Sequence, residues 1–399
     1  LAEREVLLHS APHLIWPLRF VLPQQAHVRP NWLVRTGLAL YDNLYRSQSL
    51  PRSKSVNLQT SNFGEPLLSY FKKGCVYSDC WVDDARLVIA NALCAQNHGA
   101  EIHNYTPIHK LEVKNDIWHA NDNIRARAVV NATGPWIGNF GKTKPRLVKG
   151  SHIVVPRRYA GDQAYILQNN DKRVVFVIPF EQEYELIGTT EVDYQGDPGQ
   201  AKISDEEIHY LLDIYNRTFH HKISKQDIIW DYAGVRPLLA DEKANATGVT
   251  REYKLQLQED QGAPCLYVFG GKITNYRRLA EHAMSKLKKF FPQMQKSWTA
   301  DAQLPGGEIE NISAFYDEME RQYAWLPAAL CDRYVRLYGT RMQQLLTDMK
   351  TLEDLGKDYG AGLYAAEINF LKQYEWAREA DDILFRRTKL GLHLPLDSL

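Results

Sequence analysis

Cys265-Leu266-Tyr267-Val268-Phe269-Gly270-Gly271-Lys272-Ile273-Thr274-Asn275-Tyr276-Arg277-Arg278 decides the fold. An apolar strand enters a Gly-Gly corner, and a basic segment with helical spacing leaves it over about 274–291. Glycines let backbone approach a flat ligand closely, and a helix start aims free N–H groups at negative charge. Lys272 adds a full positive charge at the corner. A second run of the same kind lies upstream, Arg127-Ala128-Val129-Val130-Asn131-Ala132-Thr133-Gly134-Pro135-Trp136, where a short buried-type strand ends in a small-residue turn. Open α/β sheets hold ligands outside the carboxyl ends of their strands, so two such turns in one chain predict a shared cleft.

The 399 residues, 44% hydrophobic and 24% charged, suffice for a large core divided between two or three domains. With 48 basic and 48 acidic residues the formal net charge is zero, and no basic stripe is interleaved with aromatics, which argues against nucleic acid as a partner. Cys75, Cys80, Cys94, Cys265 and Cys331 are scattered without a C-x-x-C pair, the pattern of free thiols in a reducing compartment. His9 and His13 have metal-ligand spacing on a helix, but Pro12 separates them and no third ligand is evident, so surface or capping roles are expected and no metal site. The opening Leu1-Ala2-Glu3-Arg4-Glu5 lacks a signal-peptide pattern, and no apolar run approaches the length of a membrane span.

Residues 1–13 read as the end of an amphipathic helix. Residues 14–30 are extended, because Pro17, Pro23 and Pro30 forbid a long helix. Helical spacing returns over 31–44 and again over 83–97, the latter with Asp83 or Asp84 at its N-terminus. Short strands are expected over 100–130, a β-rich region with one helix near 205–219 over 151–232, and helices from 305 onward, after a Pro305-Gly306-Gly307 linker.

Asn131 to Trp136, Lys149-Gly150-Ser151-His152-Ile153-Val154-Val155-Pro156, Ile187-Gly188-Thr189-Thr190-Glu191, Gly234-Val235-Arg236-Pro237-Leu238 and Phe269 to Thr274 occur in the order seen in the flavin-dependent glycerol-3-phosphate dehydrogenases. Tyr77-Ser78-Asp79-Cys80-Trp81-Val82-Asp83-Asp84-Ala85-Arg86 and Ala380-Asp381-Asp382-Ile383-Leu384-Phe385-Arg386-Arg387-Thr388-Lys389 extend the match, so the chain resembles that family over nearly its whole length. The resemblance implies an α/β fold: an FAD/NAD(P)-binding-like domain of the D-amino-acid-oxidase type over 1–150 and 233–300, an inserted antiparallel β substrate domain over 151–232, and a helical C-terminal domain over 305–399. It implies oxidation of sn-glycerol 3-phosphate to dihydroxyacetone phosphate, with hydride passed to FAD and electrons to a membrane quinone. The setting it implies is peripheral, at the cytoplasmic face of the inner membrane, or cytoplasmic, and it leaves a homodimer open.

The family opens with a strand and a G-x-G-x-x-G turn for the FAD pyrophosphate, followed by an Arg-Tyr pair at the substrate, and Leu1 already lies downstream of both. The chain as given is therefore expected to hold FAD more weakly than one carrying that segment, and the alternative reading is an inactive remnant or fragment. The one G-x-G-x-x-A string, Gly360-Ala361-Gly362-Leu363-Tyr364-Ala365, has no strand before it and falls in a helical region, outside the context a nucleotide turn requires.

Oxidising a secondary alcohol with a flavin needs a base for the hydroxyl proton, a cation near the ring and cations for the phosphate. The resemblance assigns Ala132, Thr133, Gly134, Gly270, Gly271, Lys272, Ile273 and Thr274 to the cofactor, Arg236, Arg251 and Lys272 to the substrate, and His152, Arg236 and Lys272 to catalysis. By residue type alone each has a plainer alternative: Lys272 starts a helix, the two arginines form structural ion pairs, and His152 is a satisfied core histidine. Arg236 lies between Val235 and Pro237 in an apolar stretch, where a guanidinium is not buried without an anion, and its fork suits phosphate. Histidine alone has an unperturbed pKa suited to taking a proton near neutrality. Thr189, Thr190 and Glu191 fit the family pattern or serve turn chemistry. Amino-acid oxidases of the same broad fold bind a carboxylate, whereas two arginines and a lysine favour a phosphomonoester. Finally, Trp32, Leu33, Leu38, Leu40, Tyr41 and Leu44 with Arg35, Arg46, Arg52 and Lys54 describe either a helix resting on anionic lipid or a core helix with arginines on its wet side.

Overall fold

The computed structural model describes residues 2–24, 31–44, 49–121, 123–141, 144–169, 171, 173–238, 253–260 and 262–394. The strands are β1 (Ile15–Pro23), β2 (Lys54–Asn57), β3 (Lys73–Val82), β4 (Leu111–Lys114), β5 (Ile117–Ala120), β6 (Ile124–Ala126), β7 (Val129–Asn131), β8 (Arg146–Pro156), β9 (Ala164–Gln168), β10 (Val174–Phe180), β11 (Tyr184–Gly188), β12 (Val192–Asp193), β13 (Trp230–Leu238), β14 (Lys254–Asp260) and β15 (Ala263–Phe269). The helices are α1 (Ala2–Ser10), α2 (Asn31–Leu44), α3 (Asp84–Asn97), α4 (Asp205–Asn216), α5 (Tyr276–Leu287), α6 (Ile312–Gln322), α7 (Ala328–Tyr338), α8 (Met342–Leu345) and α9 (Ala365–Tyr374).

A large sheet is built on β8. One edge of β8 carries β13; the other carries β11 and then β12, with residues 189–191 bulging between them. From β11 the sheet continues through β10, β9, β1, β3 and β2. Strand alternation splits β8 by face. Ile153 and Val155 enter a core with Ile208, Leu211, Ile214 and Tyr215 of α4, while Val148, Gly150 and His152 take the opposite face. Helix α4 begins with a Ser204–Glu207 capping box and three acidic residues in its first turn, both favourable at a helix N-terminus.

This topology corrects the domain boundaries expected from contiguity. Strands β1–β3, inside 1–150, complete the large sheet: β1 pairs antiparallel with β3 from Ile15↔Val82 to Pro23↔Gly74 and parallel with β9 at Phe20↔Ala164. Strands β8 and β13 likewise run across the boundaries drawn at 150 and 232. Pairing between strands some 140 residues apart leaves no local trace in sequence, which is why chain order misassigned them.

The second sheet is small. Strand β15 pairs parallel with β7 (Cys265↔Val129, Tyr267↔Asn131) and antiparallel with β14, while β4–β5–β6 form a separate meander. Ala283 and Leu287 of α5 pack on Leu266, and Trp118 of the meander packs with Cys265 and Tyr267.

Helices α6–α9 share one core and clasp α3. The motifs at 77–86 and 380–389 meet there. Arg86 is bidentate to Glu375, with one bond of 2.9 Å, and its Nε donates to the Leu337 carbonyl at 3.0 Å. Arg341 reaches the same carboxylate at 2.6 Å, and Lys389 pairs with Asp83, the N-cap of α3, at 2.5 Å. Against expectation, His13 is buried, packed beside Gly306 and Gly339, and burial followed by the charges of Arg86 and Arg341 lowers its pKa to about 3. The Gly360–Ala365 string forms the turn before α9, where Gly362 accepts from Arg333 at 2.8 Å.

Candidate functional site

Because β7 and β15 are adjacent and parallel, the turns that follow them open at the same end of the small sheet. Ala132, Thr133 and Gly134 leave one strand; Gly270, Gly271, Lys272, Ile273 and Thr274 leave the other. Asn131 fixes the first turn: its Oδ1 accepts from the Thr133 hydroxyl at 2.7 Å and its Nδ2 donates to the Ile137 carbonyl at 3.2 Å. The second turn needs its glycines, with φ of 66° at Gly270 and 112° at Gly271, a region L side chains rarely adopt. Lys272 is exposed and its N–H donates to Asn275 Oδ1 at 3.1 Å, which starts the single turn before α5. Exposed backbone, two positive-φ glycines and the exposed apolar side chains Val130, Trp136 and Ile273 suit a planar, anionic cofactor.

The other half of the site is a row across three strands. Register sets Gly188 of β11, His152 of β8 and Tyr232 of β13 side by side. The imidazole stacks on Tyr232 with ring centroids 4.8 Å apart and 11° between planes. Its other face lies on Gly188, where an added Cβ would fall 2.1 Å from His152 Cδ2. Burial, then the charge of Arg236, lowers the His152 pKa to about 4, so the ring is neutral at physiological pH. Two residues further along β13 than Gly234, Arg236 donates to the Thr189 hydroxyl at 3.3 Å and stands 3.9 Å from Glu191. Thr189 donates in turn to the Thr190 carbonyl at 3.1 Å.

The bulge at 189–191 is anchored from behind. Glu207 accepts from Thr190 at 2.6 Å and Ser151 at 2.9 Å and pairs with Lys149 at 2.8 Å, all on the α4 side of β8. Burial alone would raise the Glu207 pKa; the bonds from Lys149 and Thr190 outweigh it and hold the carboxylate charged. The turn Gly134–Phe140 packs against both β15 and β13, joining the turns after β7 and β15 to the strand of Arg236. Arg251 lies outside the described residues. Among the described residues no group of three or more His, Cys, Asp or Glu could hold a metal ion. Tyr232, Gly188 and the Glu207 anchor were missed from sequence; only register brings them to His152.

Residues 1–270 match the profile of the FAD dependent oxidoreductases, and residues 297–395 that of the C-terminal domain of alpha-glycerophosphate oxidase. A glycerol-3-phosphate dehydrogenase of Pseudomonas aeruginosa is 46% identical over 412 residues, 99% of this chain and 80% of that protein. The chain belongs to the FAD-dependent glycerol-3-phosphate dehydrogenase family. A D-erythritol 1-phosphate dehydrogenase of Brucella abortus is 45% identical over 413 residues, covering 99% of this chain and 82% of that protein. In fold, the chain is similar to the FAD complex of the Bacillus halodurans glycerol-3-phosphate dehydrogenase, with a TM-score of 0.77 at 24% identity over 97% of this chain and 75% of that one. The protein is thus an FAD-dependent oxidoreductase with the D-amino-acid-oxidase-type fold and a helical C-terminal domain.

Proposed function

We propose that the protein oxidises sn-glycerol 3-phosphate to dihydroxyacetone phosphate, and that His152, Arg236 and Lys272 carry the chemistry. The observation that carries this is a half-buried neutral imidazole on the same sheet face as a partly exposed guanidinium, joined by the Gly134–Phe140 turn to the turns after β7 and β15. Bound FAD would accept hydride from the substrate carbon. Ala132–Gly134 and Gly270–Thr274 would hold the cofactor, with Lys272 supplying a fixed positive charge at the corner, and Arg236 would hold the phosphate by parallel charge-assisted bonds. Arg251 is assigned to the same phosphate by resemblance alone. His152 takes the hydroxyl proton. Since Arg236 is one cause of its low pKa, a phosphate dianion on Arg236 offsets that charge and raises the basicity of the ring when substrate is present. Identity of 45–46% over 99% of this chain with relatives named as dehydrogenases supports this reading.

Both substrates named for those relatives are polyol phosphomonoesters, so the phosphate contact is the first to test. Replacing Arg236 with alanine is expected to cost about 2–4 kcal/mol of transition-state binding, read from kcat/KM for glycerol 3-phosphate beside D-erythritol 1-phosphate. Undiminished kcat/KM would reject the role.

We also infer that the enzyme works as a peripheral protein at the cytoplasmic face of the inner membrane, passing electrons to a quinone, with α2 on the lipid. No helix among the described residues is long and apolar enough to cross a membrane. On α2, Val34, Leu38 and Tyr41 turn toward the protein, and the Tyr41 hydroxyl bonds Ser78 and Arg4. Trp32, Leu40 and Leu44, exposed at 68%, 61% and 67%, lie with Leu33 on the outward stripe. Arg35, Arg52 and Lys54 are exposed, while Arg46 lies outside the described residues. An apolar stripe with flanking cations suits anionic lipid. Replacing Arg35, Arg46 and Arg52 with glutamine is expected to weaken cosedimentation with phosphatidylglycerol vesicles by about 1 kcal/mol per charge, less so at high salt. Unchanged partitioning, also after Leu40→Glu with Leu44→Glu, would discard α2 as the contact.

A further inference from the structure

We propose that Tyr232 is a positioning residue for His152, and that an aromatic column running from it to Phe385 makes the C-terminal domain a support of the active-site base. The inference rests on His152 being the proton acceptor. Histidine bases are commonly oriented by a hydrogen bond from the second ring nitrogen to a carboxylate or carbonyl. Here Nδ1 of His152 is buried without a hydrogen-bond partner among the described residues. What fixes the ring is packing on its two faces: Tyr232 at 4.8 Å on one side and the bare Cα of Gly188 on the other.

The support continues beyond Tyr232. Trp230, two residues earlier on β13 and therefore on the same face, lies 5.2 Å from the Tyr232 ring. Phe385 stacks on Trp230 at 5.6 Å and 23°. Phe385 belongs to the π-helical turn Asp382–Arg387, which is held in place by Asp382: its carboxylate accepts from Tyr105 at 2.8 Å and pairs with Arg386 at 3.2 Å and Arg387 at 3.6 Å. Three rings thus connect a turn of the C-terminal domain to the imidazole. Offset aromatic contacts of this kind add attraction beyond their buried area and so bias the ring toward one orientation. The charged and polar groups facing the pair are Arg236 and Thr189 beside His152, Glu191 beyond Arg236, and Asp84 of α3 near Tyr232.

The test separates the column from the base it serves. Tyr232→Phe keeps the ring and Tyr232→Leu removes it; Phe385→Leu cuts the far end of the column at a distance from the substrate; His152→Asn removes the base itself. Two quantities are read: kcat and KM for glycerol 3-phosphate in the FAD-loaded protein, and the NMR titration of the His152 imidazole, assigned by its loss in His152→Asn. Tyr232→Leu is expected to lower kcat by up to about a hundredfold with little change in KM, the scale of a catalytic group held slightly out of place. Its His152 titration should move up from about 4 toward the ordinary imidazole value as water reaches the ring. Tyr232→Phe should match the parent in both, and Phe385→Leu should shift both in the direction of Tyr232→Leu. If Tyr232→Leu or Phe385→Leu leaves kcat and titration unchanged while His152→Asn abolishes turnover, the column is overturned and the base stands. Equal losses in Tyr232→Phe and Tyr232→Leu would overturn it too, by pointing to the hydroxyl. Full turnover in His152→Asn would instead overturn the assignment of the base.

Discussion

Replacing His152 with asparagine is expected to slow reduction of the bound flavin by glycerol 3-phosphate by about 10²- to 10⁴-fold, the usual contribution of a positioned proton acceptor. Asparagine approximates the size of the ring and removes the basic nitrogen, so the stack on Tyr232 weakens without a large void. In the free enzyme burial, then Arg236, holds the imidazole neutral down to a pKa of about 4. The substrate phosphate loses its second charge below about pH 6 in parent and variant alike, and a base works in its neutral form, so His152 adds a further acid limb to kcat/KM only as pH drops through about 4. The asparagine variant should lose that acid limb along with the rate. Parent-like kcat/KM at every pH would remove His152 from the mechanism.

Replacing Glu375 with alanine is expected to destabilise the protein by about 3–5 kcal/mol, the cost of stripping the partner from a buried charge. Glu375 is fully buried and Arg86 only 3% exposed, and Arg341 shares the same carboxylate, so the substitution leaves two guanidinium groups facing each other out of water. Burial alone would raise the Glu375 pKa; Arg86 and Arg341 overcome that and lower it. A depressed carboxylate stabilises the fold above its unfolded pKa, and that stability is lost as pH falls through the lower folded value. Urea unfolding at neutral pH should therefore give the full difference between parent and variant, narrowing in acid. A difference below about 1 kcal/mol, as for an exposed pair, would mean that the contact of Arg86 and Arg341 with Glu375 adds little.

The two turns were legible because their signals are local: an apolar strand runs into a small-residue turn at both 127–136 and 265–278, and the second turn is followed by a basic helix start. The substrate half was legible only as residue types. Nothing near His152 in sequence names Gly188 or Tyr232, since those neighbours arise from the pairing of β8 with strands that follow it by about thirty and eighty residues. The same limit hid the membership of β1–β3 in the large sheet. On α2 the sequence marked a single apolar set, and only tertiary contacts decide that Leu38 and Tyr41 pack inward while Trp32, Leu33, Leu40 and Leu44 stay exposed. His13 was misjudged for a related reason: the cover from the 305–307 linker and the end of α7 comes from some three hundred residues away.

Removal of hydride from the secondary alcohol of a polyol phosphate by this chain can be watched by anaerobic mixing. FAD-loaded protein is mixed with sn-glycerol 3-phosphate without an external acceptor, and the visible flavin absorbance is followed. The flavin band is expected to bleach with one dihydroxyacetone phosphate formed per flavin reduced, and to bleach far more slowly with glycerol, which has no phosphate to engage Arg236. A flavin that stays bound and oxidised in the presence of glycerol 3-phosphate would contradict it.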